Sequence, residues 1–169
     1  METTAPGTIA IRSARPDDAE ALAEIYSASA EHHLRLDPSL YTRPARDALV
    51  ERYRSRLPGT EDAEILVAEV DDEVVGSLDI RLQKPSGEPR MLRDLASAEI
   101  DIAVLPELRS SGIGTRLMEA AETWAADHGA EIMTLQVHVA NLDAIRFYQD
   151  RHGWRTSGLF LMKRPERRP

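Results

Sequence analysis

One stretch restricts the fold more than any other: from Ser97 to Asp127 the chain reads as a strand, a glycine-bearing loop and a helix in immediate succession. Ile100, Ile102 and Val104 alternate with Glu99, Asp101 and Ala103, the period-two pattern of a strand with one apolar and one polar face. After Pro106 comes Arg109-Ser110-Ser111-Gly112-Ile113-Gly114, and then Ile113, Leu117, Ala120, Ala121 and Trp124 fall on one stripe of a helix ending near His128-Gly129. Such a junction points free backbone N–H groups and the positive end of a helix dipole at one spot, which favours an anion. Glycine lets phosphate oxygens approach the backbone, and Arg109 adds a matching charge. Two nucleotide motifs do not fit: a P-loop needs Gly-Lys-Ser/Thr where Gly114-Thr115-Arg116 stands, and a dinucleotide fingerprint needs glycine at Leu117.

The remaining pattern is mixed β and α. Thr8–Ser13 predicts a strand, and Pro16-Asp17-Asp18 starts a helix carrying Ala19, Leu22, Ile25 and Tyr26 on one face. Ala30–Arg43, with His32, His33, Asp37-Pro38 and Arg43-Pro44, predicts a loop or broken helix. A second helix from near Pro44 carries Leu49, Val50, Tyr53 and Leu57. Glu64–Val70 and Glu73–Leu82 flank Asp71-Asp72, a tight-hairpin signature. Glu131–Val139 predicts a strand, Asn141–Gln149 a helix, and Trp154–Lys163 two short strands.

With 169 residues and no repeat, the expectation is a single domain over 1–169, with residues 1–7 and 164–169 as loose tails. No stretch reaches the length of about 18 uninterrupted apolar residues that a membrane span needs. The absence of a signal-like N-terminus and of any cysteine predicts a cytoplasmic protein and excludes thiolate chemistry. The net charge of -8 is carried by the body, because the tail from Lys163 is basic. An acidic surface repels phosphate backbones and attracts cations, so nucleic acid is excluded as a partner and an amine substrate is favoured.

On these residues the chain resembles the GNAT superfamily of N-acetyltransferases. Arg109, Gly112 and Gly114 match its acetyl-CoA loop, Val104-Leu105-Pro106 looks like the strand end leading into it, and Asn141, Ala144, Tyr148 and Gly153-Trp154 match its second motif. Taken singly, Asn141 reads equally as a helix N-cap and Tyr148 as a half-buried helix residue. The resemblance implies an α/β fold, with a central mixed, mostly antiparallel sheet of about six to seven strands flanked by about four helices. It implies acetyl-CoA as co-substrate, with no metal. Ile102, Ala103 and Val104 would pair with pantetheine. Residues Arg109, Ser110, Ser111, Gly112, Ile113, Gly114 and Thr115 would hold the pyrophosphate, and Asn141, Ala144 and Tyr148 would complete the cofactor site. A homodimer is compatible with the family.

Acetyl transfer to an amine needs a neutral nucleophile, and an alkylammonium with a pKa near 10.4 must lose its proton to a positioned base. Glu99 is the first candidate, Asp101 on the same face the second, and His138 a fallback; the two carboxylates read equally as a solvated polar face or as a binding site for a cationic acceptor. The resemblance implies Tyr148 as the acid that protonates the CoA thiolate, and a backbone N–H near Val104 or Leu105 as oxyanion donor. Acceptor recognition falls to His32, His33, Asp37, Tyr41 and the loop from Gln83 to Arg93. A GNAT-like sensor that binds acetyl-CoA without turnover is the alternative reading.

Overall fold

The structure is a computed structural model that describes residues 8–89, 91–159 and 161–163, so the expected loose tails, 1–7 and 164–169, lie outside the described residues. The chain divides into two compact units, one running to Gln136 and one beginning at Val137.

The first unit is built on a five-stranded sheet in the order β1 (Ala10–Ser13), β2 (Ala63–Val70), β3 (Glu73–Gln83), β4 (Ser97–Val104), β5 (Ile132–Thr134). Pairings are antiparallel except β4 with β5. The sheet is therefore mixed and mostly antiparallel, as expected, with fewer strands than the six to seven anticipated among the described residues. The turn between β2 and β3 places Asp71 and Asp72 at φ 51° and 65°, the left-handed pair that a type I′ hairpin requires.

Helices α1 (Ala19–Leu36) and α2 (Arg46–Arg56) lie against one face of the sheet. Leu22, Ala23, Leu49, Val50 and Tyr53 close over Ile65 and Val67 of β2. Each buried aliphatic side chain of this kind contributes about 1.5–3 kcal/mol. Helix α3 (Ile113–Asp127) buries Ile113, Leu117, Met118, Ala121 and Ala125. It packs on β2, β3 and β4 and meets Gly76 of β3 through Ile113 and Leu117.

Three expectations change. The segment Ala30–Arg43, anticipated as a loop or a broken helix, is helical as far as Leu36, because no breaker precedes Pro38; Asp37 then leaves the helix at φ -151°, ψ 90°, the extended geometry that a following proline favours. The strand expected over Glu131–Val139 is only Ile132–Thr134, because β4 offers it partners at Ser97, Ala98 and Glu99 alone. No strand forms among the described residues of Trp154–Lys163; Phe160 is outside them.

In the second unit Asn141 caps helix α4 (Leu142–Arg146), its side-chain oxygen accepting from the Ala144 N–H at 3.4 Å. The helix continues as a π-helical turn from Phe147 to Arg151. An insertion of this type widens the helix and often accompanies functional residues.

Candidate active site

Strand β4 ties the parts of the site together. Beyond Glu99 it has no strand on its β5 side among the described residues, so within the first unit the backbone of Ile102, Ala103 and Val104 keeps one edge that no strand claims. The strand ends at Val104, and the N–H of the next residue, Leu105, donates to the Val75 carbonyl at 3.0 Å. That bond removes Leu105 as the oxyanion donor anticipated from the sequence.

The chain then makes a 3-10 turn over Pro106–Leu108 and enters α3 through Ser110 at φ 66° and Gly112 at φ 90°. A Cβ on Gly112 would meet nothing within 4 Å, so the glycine is needed for its left-handed backbone and for the open face above it. No side chain caps α3, and the first helical bond inside it runs from the Arg116 N–H to the Gly112 carbonyl. The N–H groups of Ile113, Gly114 and Thr115 therefore point out of the helix end unclaimed by the helix. Arg109 is exposed, with Nε donating to the Val104 carbonyl at 3.4 Å, and the Ser111 hydroxyl donates to the Leu108 carbonyl at 2.6 Å. An open strand edge followed by a bare helix N-terminus fits a ligand that combines an amide-bearing arm with a pyrophosphate.

The polar face of the sheet, on the α1 and α2 side, opens into a cavity of about 330 Å³. Ser77 and Asp79 of β3 and Glu99, Asp101 and Ala103 of β4 line its floor; Tyr26, Ser29 and His33 of α1, Tyr41, and Tyr53 of α2 form the walls. Three carboxylates line it, and no lysine or arginine does among the described residues. Asp79 and Asp101 are direct partners in the β3–β4 register, and Ser77 with Ala103 and Arg81 with Glu99 flank them.

Asp79 is held by Arg56 of α2 at 2.9 Å. Asp101 makes no ion pair among the described residues. Its carboxyl is crowded by the walls yet still wetted through the cavity, and its pKa is raised, first by burial and next by the charge of Asp79; His33, Arg52 and Arg81 oppose the rise. Burial likewise raises the phenols of Tyr41 and Tyr53, so both stay neutral near pH 7. The guanidinium of Arg52 sits over the Tyr26 and Tyr53 rings, 5.1 and 5.6 Å from their centroids.

His33 donates its Nδ1 proton to the Ser29 carbonyl at 2.8 Å and packs its ring against Tyr41. His32 is next to it on a helix, rotated by about 100°, and does not line the cavity. In the second unit, His138 Nδ1 accepts from the Ala140 N–H at 3.2 Å in a turn, and Tyr148 lies in the π-helical turn with its ring near Phe147 and Trp154. Asp79 and Arg56 went unnoticed in the sequence; the alternation Ser77, Asp79, Arg81 between apolar Leu78 and Ile80 was the available signal.

The model of the acetyltransferase (GNAT) family matches residues 20–154. The chain belongs to the GNAT acetyltransferase family. It is similar to an uncharacterized N-acetyltransferase of Archaeoglobus fulgidus, 32% identical over 145 residues that span 82% of this chain and 88% of that protein. Among solved structures, a mutant protein from Bacillus halodurans superposes with a TM-score of 0.83 at 22% identity, covering 93% of this chain and 99% of that one. An aminoglycoside N-acetyltransferase solved in complex with CoA superposes with a TM-score of 0.71 at 16% identity, covering 98% and 99% of the two chains. These structural likenesses bear on the fold, while the family match makes the protein an acetyl-CoA-dependent N-acetyltransferase. Among the described residues of this GNAT enzyme, no helix is long and apolar enough to cross a membrane, and no cluster of three or more His, Asp or Glu could hold a metal ion.

Proposed function

We propose that this GNAT enzyme acetylates a primary amine on a cationic small molecule or peptide by direct attack, with Asp101 receiving the amine proton and Tyr148 supplying one to the departing sulfur. The observation that carries this reading is the place of Asp101, on the cavity face of the strand whose open edge leads to the loop at Arg109–Gly114. Acetyl-CoA supplies an acetyl group already activated as a thioester. Backbone of Ile102–Val104 and the N–H groups of Ile113, Gly114 and Thr115 bind and orient it, with Gly112 keeping the approach clear.

The acceptor enters the cavity as an ammonium, drawn by carboxylates and unopposed by any lining arginine or lysine among the described residues. The ammonium first passes one proton to Asp101; the neutral amine nitrogen then forms the C–N bond as the C–S bond breaks, the sulfur leaves as a thiol with the proton of Tyr148, and the second nitrogen proton, shed as the amide forms, returns through water to the Tyr148 phenolate while Asp101 gives its proton to solvent. A carboxyl with raised proton affinity is the better acceptor for this step, because its affinity lies closer to that of the working solution. Asp101 carries the role in preference to Glu99 because Asp101 is the carboxylate crowded by the walls and by Asp79. Glu99, opposite Arg81 in the register, contributes charge for holding the acceptor.

Thiol release from acetyl-CoA with a panel of monoamines, diamines, aminoglycosides and peptide N-termini tests the reading. Asp101→Asn should lower kcat by about 10²-fold or more and remove the acid limb of the pH–rate profile. Normal turnover in Asp101→Asn would end its role as base. Absence of thiol release with every amine, alongside stabilisation by acetyl-CoA in a thermal shift, would favour a sensor.

A further inference from the structure

We infer that Asp79, held by Arg56, is a positioning residue that sets the protonation of Asp101, so that the ladder pair Asp79–Asp101 works as one tuned acid–base unit. The inference rests on the reading of Asp101 as the proton acceptor. Directly opposite residues of an antiparallel pair have Cβ atoms about 4.5–5.5 Å apart, close enough for two carboxylates to feel each other's charge in a partly enclosed site. The β3–β4 register places Asp79 and Asp101 in that relation on the floor of the cavity.

The two are not equivalent. Arg56 reaches from the last turn of α2 and binds Asp79 at 2.9 Å, with the side chain of Asp79 13% exposed and that of Arg56 27% exposed. The guanidinium contact gives Asp79 a countercharge, and the cost of crowding two carboxylates falls on Asp101, which has no ion pair among the described residues. The division of labour follows from geometry: Asp79 is held by a guanidinium, and Asp101 faces the cavity without one among the described residues.

Other groups face Asp101 and limit the effect. From α1, His33 opposes it; from α2, Arg52 does so; from β3, Arg81 does so. Glu99 on the same strand and the phenols of Tyr26, Tyr41 and Tyr53 complete the surroundings. Arg56 alone binds Asp79 by an ion pair among the described residues, so substitutions at Arg56 and Asp79 act on the pair from opposite sides.

The experiment follows the carboxyl of Asp101 by 13C NMR across a pH titration of the full chain, with Asp101→Asn supplying the assignment, and compares the acid limb of kcat/KM for one fixed acceptor amine. Asp79→Asn should move both the titration and the limb to lower pH by about one unit. Arg56→Gln should move the upper step of the pair to higher pH, and Arg56→Lys should restore it. A lost ion pair without tuning would change stability and leave both midpoints where they were. Coincident midpoints in wild type, Asp79→Asn and Arg56→Gln would overturn the inference. If instead the limb persists in Asp101→Asn, the assignment of Asp101 as base fails, and the tuning of catalysis fails with it, while the NMR midpoints still report whether the pair is coupled.

Discussion

A Cβ placed on Gly76 would lie 3.0 Å from Cγ2 of Ile113 and 3.3 Å from Cδ1 of Leu117. Gly76 stands opposite Val104 in the ladder, so this contact seats the first turn of α3 beside the end of β4. A methyl group asks its neighbours to yield by a few tenths of an ångström; the two further methyls of valine have no room. Gly76→Val should destabilise by about 1–3 kcal/mol as an overpacked core residue, and Gly76→Ala by less. Urea unfolding reads the difference, and equal midpoints for Gly76→Val and wild type would show that α3 does not rest on this glycine.

Asp18 is the charged residue buried at the entry to α1. Arg12 donates to both of its oxygens, at 2.7 and 2.9 Å, and the Arg15 N–H donates at 2.6 Å. The Arg12 hydrogen bond holds the Asp18 carboxyl below its ordinary value of 3.8. A carboxylate with a depressed folded pKa contributes stability that is present above its unfolded pKa and lost as pH falls through the folded one. Asp18→Asn should therefore cost about 2–3 kcal/mol near pH 7 by leaving Arg12 without one of its partners. The gap to wild type should persist at pH 5 and close only below about 4. Thermal unfolding at pH 7, 5 and 3 checks this, and a gap independent of pH would assign the effect to packing.

The parts of the fold legible in the sequence are those specified by local rules. Asp71-Asp72 takes the two positive φ values of its hairpin, the β4 alternation sorts Glu99 and Asp101 from Ile100 and Ile102, and the Arg109–Gly114 segment forms a bare helix start. Where the reading failed, the cause was non-local or a pattern mistaken for a limit. His32 and His33 interrupt the apolar stripe of α1, yet polar residues do not end a helix; Pro38 does. The apolar run Ile132–Val139 has the composition of a strand, but a strand needs a partner, and β4 pairs with three of its residues. Asp79 gains its meaning from the residue across the ladder, and no spacing along the chain announces Asp101 as that residue.

Gly112 holds φ 90° at the mouth of the loop, and alanine there would carry a left-handed strain of about 1 kcal/mol. Relief of that strain would turn the N–H groups of Ile113 and Gly114 away from their common point. Gly112→Ala should raise the KM for acetyl-CoA by about 5–10-fold, the factor that roughly 1–1.4 kcal/mol produces, while the KM for the amine stays near its starting value. Steady-state kinetics with each substrate varied in turn decides it. An equal rise in both constants would indicate a general loosening of the enzyme rather than a defect in the loop.

Tyr148 offers the sharpest test of the second unit. It sits in the π-helical turn Phe147–Arg151, where its carbonyl accepts from the Trp154 N–H at 3.1 Å and its ring centroid lies 5.9 Å from that of Trp154. Phenylalanine keeps the ring and the turn while deleting the hydroxyl, so Tyr148→Phe isolates proton delivery from packing. A phenol with a pKa near 10 passes its proton uphill to a thiolate whose conjugate acid lies near 8.5, a step that is useful only when geometry is supplied. Loss of such a donor should lower kcat by about 10²-fold for a poor thiol leaving group. The loss should shrink when acetyl-CoA is replaced by an acetyl thioester of a more acidic thiol, because that sulfur departs without needing the proton. Thiol release with both donors gives the comparison, and an equal loss with the two would place Tyr148 in binding rather than in acid catalysis.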